Sequence, residues 1–371
     1  MRLVLIGAGH SHLEVLRVFG LLRPAGVDIT LVDSQRRATY SGMLPGLIAG
    51  HYETNQIQID LDRMCGFAGA RFLNTALLEI DPEQRAVTCA DGSRAGYDLL
   101  SINVGAMPVF PAVNAPANLV IPAKPIAELL PAWERLITSV QCGVVKNILI
   151  VGGGPAGIEL LTAMQYRMDR LATPGALSFT LVTGAEVLLP RHNARVQSVF
   201  RRMLAQRSVR LLFNRRIAQI QPGAAITTQG EHIPGDVFVW ATGATVAPTL
   251  RAPGLARDPA GFIAVNEHLQ SLSHAEIYAA GDCASMRGKS YPRSGVYAVR
   301  QGPRLADNLR RALVGEPLVA YRPQKRALAL ISSGSRHAVA AYGPIALSGA
   351  WVWQWKDFID RRFMSKYNVL R

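Results

Sequence analysis

Two short apolar runs, each passing straight into a glycine-rich turn, constrain this chain more than any other feature. Leu3 to Ile6 reads as a buried parallel strand, and Gly7-Ala8-Gly9-His10-Ser11-His12 turns it into a helix reaching about Leu22. A second strand, Val27 to Val32, ends at Asp33. Asn147 to Val151 repeats the pattern, with Gly152-Gly153-Gly154-Pro155-Ala156-Gly157 as the turn, a helix from Ile158 to about Arg170 and a strand from Phe179 to Val182. Each stretch is a β-α-β unit. More than a hundred residues separate them, so the repeat is one of whole domains and not of a solenoid, whose period is far shorter.

The second turn is a complete G-x-G-x-x-G of Gly152, Gly154 and Gly157. The first glycine permits the tight turn, the second lets backbone approach a pyrophosphate, and the third lets helix and strand pack closely. The helix N-terminus then offers N–H groups to phosphate. The first turn keeps Gly7 and Gly9 but has His12 in the third place, where it reads as a packing or capping group more readily than as a catalyst. Asp33, twenty-four positions past Gly9, is placed to accept hydrogen bonds from both hydroxyls of an adenosine ribose; the plainer reading is a solvated strand-end acid. In the second unit the corresponding residue is Thr183, with Glu186 three positions late. A third signal, Ile277-Tyr278-Ala279-Ala280-Gly281-Asp282, is an apolar strand, a glycine and an acid that is expected to open a helix near a phosphate.

Composition narrows the class. The chain has 371 residues, 49% of them hydrophobic, with 33 glycines, enough for two or three domains with cores of their own. Its net charge of +14 favours acidic surfaces or ligands. No zinc-ligand spacing, helix-turn-helix or single-strand-binding pattern accompanies that charge, so neither nucleic acid nor a metal is expected. Cys65, Cys89, Cys142 and Cys283 are scattered without a C-x-x-C pair, which fits free thiols in a reducing cytoplasm. The apolar start leads into a glycine turn and not a cleavage site, and no apolar run of about twenty residues is present. A cytoplasmic protein is expected, with a peripheral place on a membrane left open.

In their order, the motifs resemble those of the pyridine nucleotide-disulfide oxidoreductase superfamily, flavoproteins with two dinucleotide-binding domains. The resemblance implies that the first turn and Gly281-Asp282 hold FAD, and that the middle turn holds NADH or NADPH. Val239-Trp240-Ala241-Thr242-Gly243 is similar to the A-T-G signature closing the nicotinamide domain, and Ser101 to Gly105 stands where the FAD domain carries a like segment in diverged form. The implied fold is α/β: two Rossmann-like three-layer domains, the NAD(P)H domain inserted in the FAD domain, plus a small C-terminal region. The expected division is FAD domain 1–112 and 256–320, NAD(P)H domain 113–255, and a C-terminal aromatic and basic region 321–371. Pro108 to Pro131 and Pro248 to Pro259 read as the crossings.

Absent cysteines select the branch. Tyr40 to Gly46 carries none where disulfide reductases have a pair and where related enzymes carry one cysteine, near Met43. The cysteine that usually follows the second turn in sulfide:quinone oxidoreductases is also missing. What remains resembles type II NADH dehydrogenases. Leu44-Pro45 to Gly50 is similar to their segment along the isoalloxazine, which gives Pro45 a flavin contact. Gly157-Ile158-Glu159-Leu160 resembles their G-V-E-L, whose glutamate lies near the nicotinamide–flavin contact. Gly295 to Leu309, with Gln301-Gly302, resembles the helix beside which quinone binds. Lys124 falls where relatives carry a lysine near flavin N5. Glu159, Lys124 and Gln301 are therefore the catalytic candidates, with a structural ion pair as the alternative for the first two. Val296 and Ala163 depart from the family pattern. GAGHSHLEVL, YSGMLPGLIAGHY, the Arg-rich HNARV segment and the ending WVWQWKDFIDRRFMSKY are together closer still to a subgroup often found fused to, or encoded with, selenophosphate synthetase.

These readings imply hydride passing from nicotinamide to flavin and electrons going on to a quinone-like acceptor. The alternatives are a flavoenzyme acting on a small metabolite, one linked to selenium, and a non-enzymatic flavoprotein sensor or electron-transfer partner. Arg191 to Arg216 holds eight arginines and no acid, either one solvated helix face or a site for a 2′-phosphate. In the tail, a helical reading puts Trp351, Trp355, Phe358 and Ile359 on one face, with Val352 and Phe363 at its border. Such a face suits an anionic membrane surface, the FAD domain or a second subunit in a homodimer.

Overall fold

The computed structural model describes residues 1–171, 175, 177–289 and 291–369. The chain begins with β1 (Arg2–Ile6), whose last four residues are all buried, as a central parallel strand covered on both faces requires. It continues through α1 (His10–Leu22), β2 (Asp28–Val32), β3 (Arg71–Leu73) and β4 (Leu99–Ile102). The strand Ile277–Ala279, from far along the chain, pairs with β4 and completes an all-parallel five-stranded sheet. In that sheet β1 lies between β2 and β4, so the chain leaves it to opposite sides and a crevice opens at its carboxyl end. The first glycine turn lies there.

The second unit repeats this arrangement. It contains β5 (Val120–Pro122), β6 (Asn147–Val151), α2 (Pro155–Met168), β7 (Ser178–Val182), α3 (Ala194–Gln206), β8 (Arg210–Leu212) and β9 (Val237–Trp240). Its sheet is again parallel, in the order β5-β9-β6-β7-β8. The expected two Rossmann-like domains are thus present, the second inserted in the first. The crossing expected over Pro108–Pro131 is more structured than its composition implies: β5 lies within it, and Ile126 begins a helix to Gln141 that tolerates Pro131 in its second turn.

Two chain segments carry the insertion. Met107 and Thr245 exchange backbone hydrogen bonds of 2.8 and 2.9 Å, so the outgoing and returning chains run antiparallel side by side. Val246, Leu250, Ala252 and Leu255 then pack in the first unit's core, about ten residues ahead of the expected boundary at 255/256. A second junction is formed by the short helix Leu44–Ile48: Leu44, Ile48 and Ala49 belong to the second unit's core although their neighbours in sequence belong to the first.

After β10 (Ile277–Ala279) and α4 (Gly295–Leu313) come an antiparallel meander, β11 (Ala329–Ser333), β12 (Ser335–Tyr342) and β13 (Ile345–Gly349), and the closing helix α5 (Ala350–Asn368). The face expected to be apolar points outward: Trp351 is 50% and Phe358 63% exposed. The inward face carries Val352, Asp360, Met364 and Tyr367 instead, because polar partners on the first unit await Asp360 and Tyr367.

Candidate active site

The first glycine turn is organised by a residue the sequence reading passed over. Asn103, just past β4, accepts through Oδ1 from the N–H groups of Ser11 (3.1 Å) and His12 (3.3 Å), and donates through Nδ2 to Ala280 O (2.6 Å). A Cβ on Gly7, Gly9 or Gly281 would lie within 2.8 Å of Asn103, so all three glycines are needed for this clamp. Its effect is to leave fewer free amides at the N-terminus of α1 than the motif promised. His12 is buried, with Nδ1 2.6 Å from Gly7 O and Nε2 2.8 Å from Ser101 Oγ; burial pushes its pKa down to about 4. Its buried ring packs behind the turn and supports it through both nitrogens. Asp33 ends β2 and accepts from Ala8 N (2.7 Å) and Gln35 N (2.8 Å); burial raises its pKa against those two bonds. It is therefore fixed at the turn and not a freely solvated acid.

The Ala280-Gly281-Asp282 segment differs from its expected form. Gly281 (φ 72°) and Asp282 make one 3-10 turn ending at Cys283, after which Ala284–Met286 pairs in parallel with Ile263–Val265. No α-helix starts at Asp282; the next begins at Gly295, since the chain must first complete that strand pair. Gln301, from α4, is fully buried, accepts from Gly281 N (2.6 Å) and donates to Tyr291 Oη (3.0 Å). Both ends of its amide are engaged with protein. Lys124 Nζ lies 2.7 Å from Asp282 Oδ2 and so links the segment after β5 to this turn.

His10 sits between that ion pair and the C-terminal helix. As a residue it is half-buried, but its Nε2 is buried with no hydrogen-bond partner among the described residues, and its pKa falls to about 4 because of desolvation, opposed by Asp282 and reinforced by Lys124. Tyr40 meets its ring edge-on at 5.5 Å, and Phe363 of α5 stacks on Tyr40 at 4.2 Å. Tyr40 Oη donates to Asp360 (3.0 Å), whose other oxygen pairs with Lys356 at 2.6 Å; Lys356 also donates to Gly42 O. Pro45 is buried and sets the first turn of the Leu44–Ile48 helix.

Glu159, on α2, faces β11. Its Oε1 accepts from Ser332 N (2.8 Å) and Ser332 Oγ (3.0 Å). Burial raises its pKa, and the nearby Lys356 ammonium and the two serine bonds offset part of that rise. Glu159 and Lys124 share no partner.

At the second turn the amides are free. Among the described residues no protein acceptor takes the N–H of Ala156 or Gly157, the first bond being Ile158 N to Gly154 O (3.1 Å). A Cβ on Gly154 would meet nothing within 4 Å, as a surface approached by a ligand requires, whereas one on Gly157 would meet Gly152 O at 2.0 Å. Gly152 (φ 131°) also abuts Ala241 O. Gly105 (φ 77°) and Gly243 (φ 74°) lie just ahead of the Met107–Thr245 bridge that joins the two units. Thr183 is buried, and its Oγ1 accepts from Ala185 N (3.2 Å).

Asn103, His10, Tyr40, Lys356 and Asp360 were not singled out from sequence. Only the Lys356/Asp360 spacing of four on a helix, away from the aromatic face, gave a readable signal. The free cysteines Cys65, Cys89 and Cys283 are buried, and burial pushes the Cys283 thiol up to about 12.

The residues at hand suit the two cofactors: the open second turn and free amides fit a dinucleotide, and the orphaned His10 Nε2 beside Asp33's turn fits a polar group brought by a ligand. The family model for pyridine nucleotide-disulphide oxidoreductases matches residues 1–302. Demethylphylloquinone reductase NdbB of Synechocystis is 26% identical over 374 residues, covering 93% of this chain and 89% of that protein. The sulfide:quinone oxidoreductase of Aquifex aeolicus superposes with a TM-score of 0.83 at 18% identity, over 99% of this chain and 91% of its own. NDH2 from Plasmodium falciparum, solved with NADH, gives 0.82 at 14% identity, over 100% and 99%.

Proposed function

The chain belongs to the pyridine nucleotide-disulphide oxidoreductase family, and from that premise we propose that it is an FAD-dependent NAD(P)H dehydrogenase with a quinone-like acceptor. FAD, when bound, accepts hydride from the nicotinamide and passes electrons on singly or in pairs. The protein's share is binding, orientation and dryness. Asp33 and the turn of Gly7 and Gly9, with His12 behind it, would hold the adenosine end of FAD; Gly105, Gly281, Asp282 and Pro45 would line its other parts. Gly152, Gly154 and Gly157, with Thr183 and Gly243, would hold the nicotinamide nucleotide. Lys124 would set a positive charge where negative charge develops.

The observation that carries this reading is the unpartnered Nε2 of His10, buried beside the Lys124–Asp282 pair. A buried polar atom without a partner is rare and costs free energy unless a ligand meets it. Thiol chemistry has no support in this region, where no cysteine pair exists and Cys283 is held protonated. A quinone-like acceptor is supported by the Synechocystis relative, a demethylphylloquinone reductase. In this reading Gln301 positions the Gly281 turn, and Glu159 ties α2 to Ser332 of β11.

The outward apolar residues Trp351, Trp355 and Phe358, beside the exposed Ile345 and Leu347 of β13, support a peripheral site on an anionic membrane. None of the helices in the described residues is long and apolar enough to cross a membrane. Vesicle sedimentation with and without anionic lipid tests this; no sedimentation together with a mass that rises with concentration would assign the same face to a homodimer. The link to selenophosphate synthetase rests on the likeness of GAGHSHLEVL, YSGMLPGLIAGHY, the HNARV segment and WVWQWKDFIDRRFMSKY, and is proposed only as genomic company.

Turnover tests the function. The FAD-loaded protein should oxidise NADH or NADPH with a short-chain quinone as acceptor. Oxidation of nucleotide with artificial dyes but none with any quinone would reject the acceptor and favour the small-metabolite reading.

A further inference from the structure

The ends of β2 and β7 occupy the same place in their two units. Gly7 N bonds to Val32 O and Gly152 N to Val182 O; Asp33 N bonds to Leu73 O and Thr183 N to Leu212 O. The residue after each strand is thus equivalent by its backbone bonds. In the first unit it is a carboxylate. In the second it is a hydroxyl.

A carboxylate there accepts from ribose hydroxyls and repels a 2′-phosphate; a hydroxyl with a nearby arginine does the reverse. The arginine is present. Arg216 lies over Gly184, the residue after Thr183: a Cβ on Gly184 would stand 3.0 Å from its Cγ and 3.5 Å from its Nε. Its neighbour Arg215 is paired with Glu231, but no carboxylate among the described residues pairs with Arg216, which is exposed. Arg191 is a second exposed cation without such a partner, two residues past Leu189, whose N–H bonds to Gly153 O (2.8 Å) in the turn itself. Glu186 is the nearest acid along the chain, beyond Ala185, whose carbonyl accepts from Asn214 N.

We propose that the second dinucleotide site selects the 2′-phosphorylated nucleotide, NADPH, with Arg216 gripping the phosphate and Thr183 giving it room and a hydroxyl donor. This rests on the reading of that unit as the nicotinamide-nucleotide site. Planar guanidinium matches phosphate geometry, and the contact is charge-assisted.

The test is binding and needs no turnover. ADP-ribose and 2′-phospho-ADP-ribose are titrated calorimetrically into the FAD-loaded protein at low and moderate salt. The phosphorylated fragment should bind at least about tenfold tighter at low salt, less so as salt rises. Arg216→Ala should remove most of that preference, Arg216→Lys should retain part of it, and Thr183→Glu should reverse it. Each variant is checked by thermal melting. Equal or tighter binding of ADP-ribose, or a preference that survives Arg216→Ala, overturns the proposal and leaves the nucleotide site standing. Binding of neither fragment rejects the nucleotide-site reading itself, and this inference with it.

Discussion

Gln301 Oε1 accepts a 2.6 Å hydrogen bond from the backbone N–H of Gly281, twenty residues earlier in the chain. The glutamine that family resemblance offered as an acceptor-side residue is thereby a clamp on the turn that carries Asp282. Its other end is held by Tyr291 Oη and the side chain is fully buried, so both ends of its amide already have protein partners.

Gln301→Ala should therefore weaken FAD retention more than it alters chemistry. Removing the amide strands two buried polar groups, at roughly 1–3 kcal/mol each. The expected result is a clearly lower melting temperature and loss of flavin on gel filtration, with residual holoprotein turning over at a near-normal rate. A stable, fully flavinylated variant with collapsed turnover would restore a direct role.

Lys124→Met should do the opposite. The pair with Asp282 is half-exposed on the lysine side, and such pairs contribute about 1 kcal/mol or less to stability. The melting temperature should barely move. Flavin reduction by nucleotide should slow by about a hundred- to a thousandfold, as loss of one electrostatic stabiliser does.

Glu159→Gln should stabilise the protein, and more so at higher pH. Burial holds the folded-state pKa of Glu159 above its unfolded value, so its favourable contribution is complete below the unfolded pKa and is lost as pH rises through the folded one. A glutamine still accepts from Ser332 without that loss. Melting curves at acidic and alkaline pH should show a gain that grows with pH; a gain independent of pH contradicts the assignment.

The histidines act with the other sign. His10 and His12 fall from 6.5 to about 4 through burial, so their contribution is whole above 6.5 and is lost as pH falls toward 4. Each is worth at most roughly 3 kcal/mol across that window. Denaturant midpoints should drop between pH 6.5 and 4, and a ligand that fills the contact at His10 should shift its share of the drop.

Asp360→Ala should cost several kcal/mol, about 3–5, because Lys356 is left buried without its carboxylate and Tyr40 loses its acceptor. Trp351→Ser, on the exposed face of the same helix, should leave the melting temperature within a degree or two. Equal effects would mean that the helix packs by the other face in solution.

The glycine turns and the strands before them were legible because they answer to local rules: an unbroken apolar run for a strand covered on both faces, and a glycine wherever a side chain would strike backbone. Gly157 against Gly152 O is such a place. Asp282 misled because glycine-then-acid describes a 3-10 turn as well as a helix start; only the pairing of Ala284–Met286 with Ile263–Val265 decides between them. The inward face of α5 was not legible for a related reason. Trp and Phe outweigh Asp and Lys in any count of apolar residues, yet a buried Asp360 is chosen by Tyr40 and Lys356, and Tyr40 is 320 positions away. Asn103 likewise holds three segments that no window of sequence contains.

The most direct test is anaerobic. The purified yellow protein is mixed with NADPH, then with NADH, in a stopped-flow cell, and the flavin absorbance is followed before a quinone is added. The account predicts rapid bleaching, recovered when the quinone enters. A protein that holds FAD and keeps its colour with both nucleotides would contradict it.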